Sequence, residues 1–148
     1  MKKKSSFPIL LLSVVFFASC QSSGKSEREE PSSELLIESF TSWNGDSLPA
    51  YPSGKPKISI FKFTIPPHSE LPRHYHPVIN AGVLLQGELT VVDEEGNELH
   101  MKTGDPIVEL VNKIHFGKNE GDEPAEIIVF YAGTEDEEIV VKESGPTN

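Results

Sequence analysis

One cysteine in 148 residues leaves no partner for an intrachain disulfide. Stability therefore has to come from a packed core rather than from covalent staples. Positive charge is scarce too: 13 lysines and arginines face 23 aspartates and glutamates, a formal net charge of −10. A body this acidic is poorly suited to electrostatic binding of nucleic acid or an anionic membrane surface. There is no glycine-rich phosphate loop and no nucleophile elbow, and residues 34–148 contain no long apolar run of helical period. These absences exclude phosphate-loop and serine-hydrolase chemistry and argue against an α-helical fold.

The one long apolar stretch, Phe7 to Phe17, is shorter than the roughly 20 residues of a comfortable membrane span. It follows the basic head Lys2-Lys3-Lys4 and precedes Ala18-Ser19-Cys20. Basic, apolar and small-residue regions in that order describe an export signal, so residues 1–19 are not part of the fold. The ending resembles the lipobox of bacterial lipoproteins, with Phe17 in the usual aliphatic position. On that resemblance Cys20 is lipidated, palmitate being one of its acyl chains, and becomes the first residue after cleavage. The alternative is an ordinary secretory signal followed by a free thiol. Cleavage removes three lysines and no acid, and the formal charge falls to −13. Gln21 to Ser33 has no apolar periodicity, and residues 20–33 read as a flexible tether. Lipid anchoring would place the remainder, residues 34–148, at the bacterial cell envelope, on the outer membrane or a periplasm-facing membrane.

From Glu34 onward short apolar segments alternate with turn signals. Leu35 to Phe40 is a candidate first strand, closed by the turn signal Asn44-Gly45-Asp46. Phe61, Phe63 and Ile65 alternate with Lys62 and Thr64, the period of a half-buried strand. Val83–Leu85, Leu89–Val92, Leu99–Met101 and Ile107–Val111 follow, separated by Gly87, Glu95-Gly96-Asn97 and Gly104-Asp105-Pro106. Ile127–Tyr131 is apolar at every position, which predicts a strand buried on both faces. Glu138–Lys142 reads as a last edge strand. Many short strands at near-regular spacing predict an all-β sandwich or barrel.

Chemistry is concentrated in Arg73-His74-Tyr75-His76 and, some forty positions later, His115. On an extended segment, residues i and i+2 point to one face, so His74 and His76 are placed together while Arg73 and Tyr75 face away. A third imidazole arriving on another strand would complete a metal site. His100, between Leu99 and Met101, is expected to face solvent. His68 lies in a loop close to the histidine pair, and Trp43 and Tyr51 sit where they would plug or lid one end of a barrel.

The spacing resembles that of the cupin superfamily over roughly residues 56 to 132. His74 and His76 fill the paired histidines of its first motif, Asn80 occupies the acidic position and Gly87 closes it; His68 stands in place of the opening glycine. In the second motif Gly104 opens, His115 is the histidine and Asn119 the terminal asparagine, with Leu110 and Asn112 replacing proline and glycine. The resemblance implies a double-stranded β-helix, a jelly-roll barrel, around a small cavity that takes a small molecule. It implies a divalent transition metal (Fe, Ni, Zn or Mn) on His74, His76 and His115. Asn80 is then either a weak fourth ligand, a group orienting water, or a satisfier of backbone at a strand end. With no carboxylate expected at the site, three neutral imidazoles would leave a divalent ion its full charge, favouring an anionic ligand. Because many cupins pair through edge strands, a homodimer is compatible with the resemblance. Three functions are compatible as well: a metal-dependent, dioxygenase-like oxidoreductase acting on a small molecule, a non-catalytic ligand-binding or sensing module, and a metal-free structural barrel.

Overall fold

The alternation of Phe61, Phe63 and Ile65 with Lys62 and Thr64 sets the first strand, β1, at Pro56–Ile65. The computed structural model describes residues 30–144, and a compact unit begins at Glu34. The expected export signal, Cys20 and residues 21–29 of the expected tether lie outside the described residues. After β1 come β2 (Ser69–Glu70), β3 (His74–Tyr75), β4 (Ile79–Gln86), β5 (Glu88–Asp93) and β6 (Glu98–Lys102). Next are β7 (Pro106–Val108), β8 (His115–Asn119), β9 (Ala125–Thr134) and β10 (Val141–Lys142). No helix occurs among the described residues.

The strands form two antiparallel sheets, the arrangement of a jelly roll. One runs β1-β9-β4-β7; the other runs β10-β3-β8-β5-β6, with β2 also paired to β8. Side chains alternate across each strand, so one phase of β9 (Ile127, Val129, Tyr131) enters the core with Ile65, Leu84 and Leu89. Tight turns join the strands. Gly87 has φ +79, and a Cβ there would stand 2.7 Å from the Pro124 carbonyl oxygen, so glycine is required on both counts. Asp93 is buried, although the run Asp93-Glu94-Glu95 reads as a solvated turn. Its carboxylate accepts bonds from the backbone N–H groups of Glu95 and Asn97 and from the Asn97 amide, closing the β5–β6 turn.

Four local expectations are corrected. Leu35–Phe40 forms no strand; Leu35 and Phe40 are exposed, and Leu35-Leu36-Ile37 lacks the alternation that a strand of one buried face needs. β9 is buried on one face only. Ile128 and Phe130, in its outward phase, are substantially exposed beside Ile60 of β1, because no described layer fully covers that side of the sheet. The strand expected over Ile107–Val111 ends at Val108, and the last strand shortens to Val141–Lys142.

Candidate metal centre

The two sheets bring the histidines together at one end of the interior. In β3, His74 lies directly across from His115 of β8. His76 follows β3 and bridges to Val111 in the segment after β7. That segment turns sharply at Asn112, whose φ is +58 and whose N–H donates to the His76 carbonyl at 2.8 Å. Asn112 stands where the second motif has glycine, and asparagine is among the few residues that accept a left-handed backbone. His68, in place of the first motif's opening glycine, likewise has φ +52. Both departures from the motif therefore keep its backbone path.

The imidazole rings of His74, His76 and His115 lie 4.7 to 5.0 Å apart, centre to centre. Their candidate ligand atoms are all within 4.8 Å of one another. Each Nδ1 faces a backbone carbonyl: Pro72 for His74 at 2.8 Å, Ile139 for His76 at 2.8 Å and Lys113 for His115 at 2.9 Å. A carbonyl only accepts, so each Nδ1 carries the proton and, in the neutral ring, each Nε2 keeps its lone pair for a metal. Three rings are thus fixed in the tautomer that a metal requires.

Glu109, which sequence reasoning passed over, supplies the carboxylate. Its Oε2 lies 3.0 Å from His76 Nε2 and 3.1 Å from His115 Nε2. It sits one residue beyond β7, and its backbone N–H donates to the Asn80 carbonyl at 3.2 Å. The signal was present as a single acid inside the apolar run Ile107-Val108-Glu109-Leu110-Val111. With Nδ1 already donating, the short contacts between Oε2 and Nε2 require a positive charge between them, either protons or a shared cation. Burial alone would raise the Glu109 pKa; hydrogen bonds from His115 and His76 outweigh it and hold the carboxyl well below the usual range. Burial pulls His115 down, but Glu109 prevails and its pKa is raised. Burial is the main force on His74, joined by repulsion from His115 and His76, and its pKa is lowered.

Asn80 is fully buried on β4. Its amide nitrogen reaches the Val78 carbonyl at 3.3 Å, its Oδ1 has no partner, and it does not line the cavity beside the histidines. The carboxylate that its position lacks comes instead from the adjacent chain at Glu109. The three imidazoles form a cluster able to hold a metal ion, with the Glu109 carboxylate against two of them.

A Cupin domain family model matches residues 61–131. Those residues are a cupin domain. Solved cupin folds agree with the strand arrangement. The DMSP lyase DddQ from Ruegeria pomeroyi is 20% identical with a TM-score of 0.53, over 62% of this chain and 45% of the lyase. Oxalate decarboxylase from Lactobacillus farciminis is 22% identical at 0.50, over 57% of this chain and 26% of that one. The polyketide cyclase RemF from Streptomyces resistomycificus is 16% identical at 0.50, over 59% and 61%. This cupin thus spans less than two thirds of each of those structures. No curated protein matches the sequence.

The remaining residues singled out from the sequence fall away from the centre of this cupin. His100 is exposed and bonds to Thr90 Oγ1 at 3.0 Å. His68 is exposed and pairs with Asp122 at 3.0 Å. Trp43 packs against the core, and Tyr51 is exposed. Asn119 is structural: its amide donates to the carbonyls of Ile65 and Glu123, and its oxygen accepts the Gly121 N–H.

Next to the histidines opens a cavity of about 180 Å³, walled largely by aliphatic and aromatic side chains. Tyr131 lines it, its ring 5.4 Å from that of His76. The Tyr131 hydroxyl has no hydrogen-bond partner among the described residues. Burial, and then Glu109, raise its pKa, so the phenol stays protonated and available as a donor.

Proposed function

We propose that this cupin is a metal-dependent enzyme acting on a small molecule held in the barrel, with His74, His76, His115 and Glu109 as the metal-binding residues. The observation that carries the reading is the fixing of all three Nδ1 atoms by backbone carbonyls, which leaves three clustered rings with Nε2 open, two of them against the Glu109 carboxylate, beside an open cavity. A bound divalent ion supplies Lewis-acid polarisation and open positions for small-molecule ligands, the chemistry of dioxygenase-like cupins. The chain does the rest. Pro72, Lys113 and Ile139 hold the rings, Glu109 offsets one positive charge, the apolar walls exclude water, and Tyr131 offers a hydrogen-bond donor in the cavity wall. A binding or sensing role without turnover is the alternative that the same geometry supports.

The location belongs to the same proposal. Lys2-Lys3-Lys4, the apolar run to Phe17 and Ala18-Ser19-Cys20 support export and lipid anchoring at the envelope. Pairing of two copies is supported by the exposed Ile60, Ile128 and Phe130 on the outer face of the β1-β9-β4-β7 sheet. The functional test is oxygen uptake by protein loaded in turn with Fe(II), Mn(II), Ni(II) or Zn(II) and offered small thiols and diketones. Uptake that needs the metal and disappears in Glu109→Gln supports an enzyme. Metal retained with no turnover of any candidate moves the reading to the binding module.

A further inference from the structure

Lys142 is the one cation in the cavity wall besides the histidines. It stands on β10 directly across from His74 of β3, so the two side chains share a face of the sheet. Being exposed while lining the cavity, it stands at the mouth. The other described cations are engaged. Lys55, Lys62, Lys102, Lys113 and Lys118 each pair with an acid, Arg73 pairs with Glu143, and Lys57 donates to backbone carbonyls. Lys142 alone has neither an ion pair nor a hydrogen bond among the described residues.

The rest of the wall is apolar, with Phe63, Leu71, Leu89, Val91, Ile127 and Val129 facing the space. Its volume of about 180 Å³ suits a small organic molecule. At the histidines, a divalent ion with neutral imidazoles and ionised Glu109 would leave a net charge of about +1. A lysine beside that centre and an otherwise apolar wall define the ligand by complementarity.

We propose that the cavity selects a short-chain organic monoanion, such as a carboxylate, whose charged group is captured by Lys142 and whose apolar body lies against the barrel wall. This rests on the reading of the histidines as a metal centre, and Lys142 is the specificity-determining residue within it. It carries no structural duty visible in the fold, so its replacement leaves the barrel intact.

The test is an NMR titration of metal-loaded protein, following the backbone amides of Gly117 and Val129, with metal content measured in the same samples. Butanoate is compared with 1-butanol and butylamine, its neutral and cationic counterparts. The expected result is saturable binding of butanoate, at least tenfold tighter than 1-butanol, with no binding of butylamine. Lys142→Gln should erase that tenfold preference and leave 1-butanol and metal content unchanged. Butanoate preference lost in Lys142→Gln, in samples that retain no metal after loading, supports the ligand class and overturns the metal reading instead. Equal binding of butanoate and 1-butanol, or a preference that survives Lys142→Gln, overturns the proposal whatever the metal content.

Discussion

Glu109 and Asn80 adjoin through one backbone hydrogen bond, yet their side chains have different tasks. The carboxylate faces two imidazoles, whereas the amide is turned to the Val78 carbonyl. Glu109→Gln should therefore weaken metal binding on the order of 10–100-fold, and Asn80→Ala should change it little, as read by competition with a chromophoric chelator. A larger loss in Asn80→Ala than in Glu109→Gln would reverse the assignment. The same carboxylate gives the metal-free protein a pH signature. His115 has a raised folded pKa, so its contribution is fully present below the unfolded value of 6.5 and is lost as pH rises through the folded one. Glu109 has a lowered folded pKa, so its contribution holds above 4.5 and is lost as pH falls. Both act between pH 4.5 and 6.5. In the presence of chelator, the gap in thermal stability between wild type and Glu109→Gln should be widest in that window and narrow toward alkaline pH. A gap that widens toward alkaline pH contradicts the coupling.

At the scale of elements, the turn at Asn112 sets the path between Glu109 and His115. A β-branched residue is excluded by its φ of +58, whereas glycine adopts it freely. Asn112→Val should cost about 1–2 kcal/mol in chemical denaturation, and Asn112→Gly should be close to neutral. Equal losses in the two would mean that the Asn112 side chain, rather than its backbone angle, holds the turn. Alternation made β1 legible in the sequence, and the His-x-His pair together with Gly87, Gly104 and His115 made the barrel and the cluster of three histidines legible. Other elements were not, for physical reasons. β2 and β3 are two residues each, too short to carry a period. Leu35–Phe40 has the composition of a strand without its alternation. Glu109 escaped notice because its partners are imidazoles brought in by other strands, a juxtaposition that exists only after the sheets pair.

For the whole molecule, the acidic surplus and the described fold point in one direction. Acids outnumber bases in a barrel whose apolar cavity is lined by three imidazoles, one carboxylate and, at its mouth, one free lysine. The stability of such a chain depends on its sheet-to-sheet core, because a single cysteine offers no staple. Its chemistry depends on whether the histidine cluster takes an ion. The most direct test is elemental analysis of protein purified without chelators, beside the double variant His74→Ala/His76→Ala. The account predicts close to one transition-metal ion per chain in the wild type, lost in the double variant and released from the wild type as pH falls below ~6.5. Equal and negligible metal in both proteins, after offering each of the four candidate ions, would contradict it.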